Sequence, residues 1–160
     1  MSVITRLAAK AVLQAHGGIP LRWHFPEAAS QSYKAGELVY LSGGKVTVCG
    51  NNPQTIMGMA CADASGTTDE DAEVIVATPD QIFEASVYHL TAASAITAVS
   101  QVGENYGIEV VSNKVYVAID ETSTIACRVI GLSKKDVVGD QYGRLLFKII
   151  STYSQYDIAG

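Results

Sequence analysis

From Tyr33 onward the chain runs as short stretches of β-branched and aromatic residues, each cut off by glycine, asparagine, proline or serine. That punctuation limits the fold more than any other feature, because a helix needs apolar residues three and four apart over ten or more positions, whereas a strand needs only four to eight residues between turns. Residues 37–41 end in Ser42-Gly43-Gly44 and resume at 45–49, a hairpin signal. Gly50-Asn51-Asn52-Pro53 is a further turn. Residues 55–62 are apolar with Gly58 inside, as in a strand approached closely by another backbone. Residues 74–78 and 81–88 read as strands on either side of Pro79-Asp80, and Ile82, Glu84 and Ser86 alternate with Phe83, Ala85 and Val87 in the second. Residues 107–111 and 115–119 flank Ser112-Asn113-Lys114 as a hairpin, and 125–132 and 144–152 supply two more strands. Residues 90–102 fit either a short helix or an irregular crossover, since Leu90, Ala93, Ile96 and Val99 have helical spacing while serines and threonines weaken it. Strands at this spacing predict a mainly β fold, a small β-barrel or β-sandwich, and no segment recurs at a fixed period.

The amino-terminal segment has a different pattern. Val3, Ile4, Leu7, Ala8, Ala11 and Val12 recur at helical spacing, so a short helix is expected over 1–14, ended by Gly17-Gly18 and Pro20. Residues 19–26 are bracketed by Pro20 and Pro26 and read as extended. Leu21, Trp23 and Phe25 alternate there and share one side. The expected organisation is therefore an N-terminal arm, residues 1–32, followed by a β domain over 33–160. The arm either folds back to complete its own barrel or lies across a neighbouring subunit. In the second case Leu7, Val12, Leu21, Trp23 and Phe25 are the anchors, with Arg22 at the rim of the contact.

At 160 residues, 48% hydrophobic and 17% charged, the chain has enough apolar material for one ordinary core and is not of disordered composition. The net charge of −5 argues against a broad nucleic-acid surface. The charge is uneven. Residues 1–26 hold Arg6, Lys10 and Arg22 and no acid, while 63–84 hold Asp63, Asp69, Glu70, Asp71, Glu73, Asp80 and Glu84 and no base. Such stretches are either solvated surface or, at the basic end, a contact for a negatively charged partner. Cys49, Cys61 and Cys127 are odd in number and lack C-x-x-C spacing, which reads as reduced thiols. No apolar run is long enough for a membrane span, and no secretory h-region is present at the start.

No catalytic pattern survives inspection. His16, His24 and His89 have no metal-ligand spacing, and the pairing of His89 with Ser94 lacks a nucleophile elbow. Gly43-Gly44-Lys45 fails the phosphate-loop pattern, with Val39 where a glycine and Val46 where a hydroxyl are needed. Asp63, Ser65, Thr67, Asp69 and Asp71 place oxygens at alternate positions, but Thr68 and Val74 stand where a calcium loop needs glycine and glutamate. No two carboxylates are singled out as an acid/base pair. The chain is expected to be neither an enzyme nor the holder of a cofactor or metal.

The layout resembles that of tailed-phage capsid decoration, or cement, proteins. The resemblance covers roughly residues 28–154 and rests on the order of YKAGELVYLSGGKVTV, TIMGMACADAS, DQIFEASV, YGIEVVSNKVYVAID and GRLLFKII. It implies a structural virion protein on the outer surface of a capsid, bound to the major capsid protein as a homotrimer or other homo-oligomer. Contacts to nucleic acid or membrane are not implied. Another virion β-module, such as a head-fibre or tail component, and a carbohydrate-binding β-barrel are the competing readings.

Overall fold

The computed structural model describes residues 8–156. In chain order the strands are β1 (Lys10–Gln14), β2 (Arg22–Pro26), β3 (Leu38–Ser42), β4 (Lys45–Val48), β5 (Gly58–Ala60), β6 (Asp71–Val76), β7 (Gln81–Tyr88), β8 (Asn105–Val111), β9 (Lys114–Ala118), β10 (Cys127–Leu132) and β11 (Arg144–Ile149). They form two sheets. The first has the order β1-β7-β11-β10-β8-β9, and β9 returns to pair in parallel with the end of β7 through Val87–Val117 and Tyr88–Ala118. Five strands are thereby closed into a barrel, and β1 is added to the starting half of β7. The second sheet has the order β2-β6-β5-β3-β4, and one parallel bridge, Glu27–Val46, ties its two ends together. The expectation of a mainly β barrel fold holds.

Turn chemistry sets the hairpins. Gly43 and Gly44 lie at φ 57° and 79° between β3 and β4, and Ser112 and Asn113 at 51° and 61° between β8 and β9. Two successive left-handed residues match the right-handed twist of the flanking strands. The apolar run 55–62 has a different cause. The middle of the second sheet, β5 with the facing parts of β3 and β6, is buried on both faces, so those positions need apolar residues in succession. Val39, Ala60 and Val74 face a small core with Tyr33, Val46 and Ala72, while their neighbours Leu38, Met59 and Ile75 join the larger core. A Cβ on Gly58 would overlap the Ile75 carbonyl, so β5 and β6 can approach only because that position is glycine. The larger core is built around Phe83 and Phe147, opposite each other on β7 and β11 with ring centroids 5.8 Å apart, and around Ile108, Val117, Val129 and Leu145.

Two local expectations change. Lys10–Gln14 is a strand, not the end of a helix. The free edge of β7 offers a ladder that an isolated short helix cannot match, and Ala9 places its carbonyl oxygen 2.5 Å from where a Cβ on Gly36 would sit. Residues 1–7, which carry the rest of the expected helix, lie outside the described residues. The 90–102 segment is an irregular crossover with single 3-10 turns at Ala92–Ser94 and Val99–Gln101. The strand expected over 74–78 starts earlier, with Asp71–Glu73 of the acidic stretch beginning β6.

Candidate interaction site

Residues 10–26 are built into both sheets. β1 pairs with β7 through Lys10–Glu84, Ala11–Phe83 and Gln14–Gln81, with a register shift between the second and third pairs. Across that irregularity the buried Gln81 amide donates to the Val12 carbonyl at 2.9 Å and to the Ile82 carbonyl at 2.7 Å. The chain then makes a closed loop. The Gln14 N–H donates to Gly18 O, the Gly17 N–H to Gln14 O, both at 2.8 Å, and the Ala15 N–H to Asp80 O at 2.7 Å. Gly17 sits at φ 88°, a conformation that favours glycine. Leu13 and Ile19 flank this loop and are 50% and 82% exposed. Beyond it β2 pairs with β6 from Arg22–Ile75 to Pro26–Asp71.

Of the anchors expected from sequence, Phe25 packs against the small core, Val12 is half-buried, and Leu21 and Trp23 are 36% and 51% exposed. The Trp23 ring has Tyr156 beside it, with centroids 6.4 Å apart. Leu7 lies outside the described residues. The segment thus folds onto its own sheets while presenting Leu13, Ile19, Leu21 and Trp23 outward. Arg22 is less available than expected, because its Nη1 lies 3.5 Å from Glu73. His24 Nδ1 lies 2.6 Å from Asp71 Oδ2 on the same strand pair. The basic start and the acidic stretch therefore meet each other within one sheet.

The acidic loop is organised by a residue that the sequence does not mark. Glu27 is buried, and its carboxylate accepts the Ser65 N–H (2.9 Å), the Ser65 hydroxyl (3.0 Å) and the Gly66 N–H (2.8 Å). Burial and the Glu27 charge push the Tyr33 phenol up to about 12. Two of the loop's own carboxylates have partners within the chain. Asp63 accepts the Ala35 N–H at 2.9 Å, which with Lys34 holds it below its ordinary value, and Asp69 lies 2.7 Å from Lys45 Nζ. Among the described residues no group of three or more His, Cys, Asp or Glu side chains is arranged to hold a metal ion.

A second polar cluster lies on the outer side of β7. Alternation puts Glu84 on that face, and the 133–142 segment covers it. The Glu84 carboxylate accepts the Ser133 hydroxyl at 3.0 Å and lies 3.3 Å from Lys135 Nζ and 3.6 Å from Lys10 Nζ. Arg144 makes a two-pronged contact with Asp136, Nε to Oδ2 at 2.7 Å and Nη2 to Oδ1 at 2.6 Å, and those bonds hold Asp136 below the usual carboxylate range. This cluster ties β1, β7, β11 and the covering loop together. Burial raises the Cys49 and Cys127 thiols to about 12, which leaves them protonated and unreactive at neutral pH. His89 accepts the Thr91 N–H through Nδ1 at 2.9 Å.

Further exposed apolar residues sit on the larger barrel. Val99, Val137 and Val138 are exposed on two segments joined by the bond from Gly139 N–H to Thr97 Oγ1. A groove of about 380 Å³ runs beside β1, lined by Ala9, Ala11, Arg22, Gly36, Met59 and Cys61 among others. No family model matches the chain, and comparison with curated proteins and with solved structures found no match.

Proposed function

We propose that this chain is a structural adhesive protein of a phage particle, a decoration or cement protein bound to the major capsid protein on the outer surface and acting as a homo-oligomer. The observation that carries this reading is the set Leu13, Ile19, Leu21 and Trp23, exposed on a segment whose neighbouring residues are hydrogen-bonded into two sheets. Apolar side chains held on ordered backbone lose little conformational freedom on docking, so more of their burial energy appears as affinity. Each contributes roughly 1.5–3 kcal/mol when fully removed from water. An assembled shell repeats the contact many times, and oligomeric copies bind with a high effective concentration after the first contact. Binding the closed shell better than the open one stabilises it. No covalent step is needed.

Deleting the arm is a poor test, because residues 10–26 supply strands to both sheets. The better test is Leu13→Asp with Ile19→Asp, which alters two side chains beside the exposed loop. Co-sedimentation with undecorated heads of the phage that encodes the chain should weaken at least tenfold while the melting temperature stays within a few degrees. Unchanged binding by the folded double variant removes this surface from the reading, and no binding by the wild-type chain removes the reading itself.

A further inference from the structure

We propose that the open edge of β2 pairs with β2 of a second copy of this chain, antiparallel about a two-fold axis passing through Trp23. The phase of the β2–β6 ladder shows which backbone groups are open. The Val76 N–H donates to Leu21 O at 2.9 Å and the Glu27 N–H to Glu70 O at 2.8 Å. In an antiparallel pair such bonded positions alternate, so residues 21, 23, 25 and 27 aim their backbone at β6, and Arg22 and His24 aim theirs away. Among the described residues that far side is taken up only at its end, where the Ala28 N–H donates to Val46 O at 3.0 Å. Arg22, Trp23 and His24 are all exposed.

An N–H and a C=O at each of two alternate residues call for an extended backbone as partner. The same strand from a second copy fits because antiparallel pairing about a two-fold axis is self-complementary. Arg22 of one copy then faces His24 of the other, and the two Trp23 residues face each other at the centre. Edge charges ordinarily keep such strands apart. Here Arg22 and His24 are each already committed to an acid of their own sheet, at 3.5 Å and 2.6 Å, so two edges approach with little net repulsion. Trp23 is half exposed, and pairing covers the two rings. Pro26 has no N–H and limits the new ladder to a short segment. In the paired form Trp23 is taken up by the second copy, while Leu13 and Ile19 precede the strand and stay free for a coat protein, so this pairing stands whether or not the chain binds a capsid.

Central Trp23 residues would form a non-hydrogen-bonded pair with Cα atoms about 4.5 Å apart, inside the range that a disulfide spans. In a Cys61→Ser background, where Cys49 and Cys127 are buried, Trp23→Cys should give a cross-linked dimer on mild oxidation and Ile19→Cys should not. Wild-type emission from the chain's one tryptophan should shift to shorter wavelength as concentration rises. His24→Pro removes an outward N–H that β6 does not use, and should weaken self-association at least tenfold by sedimentation equilibrium with the melting curve retained. Failure of folded Trp23→Cys to cross-link, equal cross-linking at position 19, or a wild-type chain that stays monomeric at its highest soluble concentration would overturn the pairing. Failure of the wild-type chain to bind heads, with cross-linking through position 23 intact, would count against the capsid reading alone.

Discussion

The two sheets close by different means. The larger barrel is closed by backbone, since β7 and β9 share two parallel pairs and β7, β8, β10 and β11 run six to eight residues each. Its interior holds the Phe83–Phe147 pair and a broad apolar cluster. The smaller sheet is closed by one bridge, and polar side chains take over where its ladder runs out. The Gln155 amide accepts the Leu41 N–H at 2.6 Å and donates to the Leu41 carbonyl at 3.0 Å, as a neighbouring strand would. Gln31 accepts the Val48 N–H at 2.8 Å, and Glu27 holds the 65–66 backbone. One half is therefore held by packing and the other by individually replaceable polar contacts. The open edge and the exposed residues Leu21 and Trp23 lie on the second half. A barrel that closes incompletely leaves backbone and apolar surface available to partners, and the firmly closed one supplies the stability.

Substitutions can break this contrast. Phe147→Ala should cost the most, about 4 kcal/mol, because it empties the centre of the larger core. Chemical denaturation should show the full loss in one cooperative transition. Asp136→Ala should cost about 3 kcal/mol, since it removes the two-pronged acceptor of the Arg144 guanidinium, whose side chain is 15% exposed, and leaves it only the Glu84 carboxylate 3.8 Å away. Asp136→Asn should cost less, because one acceptor is retained. Phe25→Ala should cost about 2 kcal/mol, being half-buried over the smaller core. A loss equal to that of Phe147→Ala would remove the distinction between the two halves. Glu27→Gln should cost about 1.5 kcal/mol. Its readout is local: hydrogen exchange should quicken at Ser65 and Gly66 with little change in β7 or β11.

The smallest expected effect is on pH dependence. Asp136 has a depressed carboxyl in the folded chain. Its stabilising contribution is complete above the unfolded carboxylate value, near pH 4, and is lost as pH falls through the folded value. Glu109 is shifted the other way, raised by burial and then by Asp120. Its ionisation opposes folding, so its term becomes favourable as pH falls through the raised value. Asp136→Asn should flatten the acid limb of a stability–pH curve, and Glu109→Gln should steepen the fall on the acid side. The opposite pair of changes would contradict these assignments.

Much of the strand pattern was legible in the sequence. Residues 81–88 match β7 at both ends, and the glycine turn at 43–44 and the Ser112-Asn113 turn lie where their residue types place them. Local chemistry decides such features. The helix expected over 1–14 was misread because Ala8, Ala11 and Val12 satisfy helical spacing, while the β7 edge that recruits this segment is some seventy residues away. Distance along the chain likewise hid the meeting of Arg22 with Glu73 and of His24 with Asp71. In composition these were a basic end and an acidic stretch; in the fold they are cross-strand partners. Leu21, Trp23 and Phe25 do share a side, but only the pairing of β2 with β6 decides that Phe25 enters the core and Trp23 emerges. Glu27 and Glu84 carried no local signal at all, since each becomes buried through a loop that arrives from elsewhere in the chain.

The most direct measurement of the central claim is an electron cryomicroscopy reconstruction of purified particles of the phage proposed to carry this chain, at a resolution that separates the strands. Density for the barrel and its second sheet is predicted on the outer face of the shell, with the Leu13–Ile19 loop turned towards the coat protein. Particles that lack the chain, or a bound chain whose Leu13–Ile19 loop faces solvent, would contradict it.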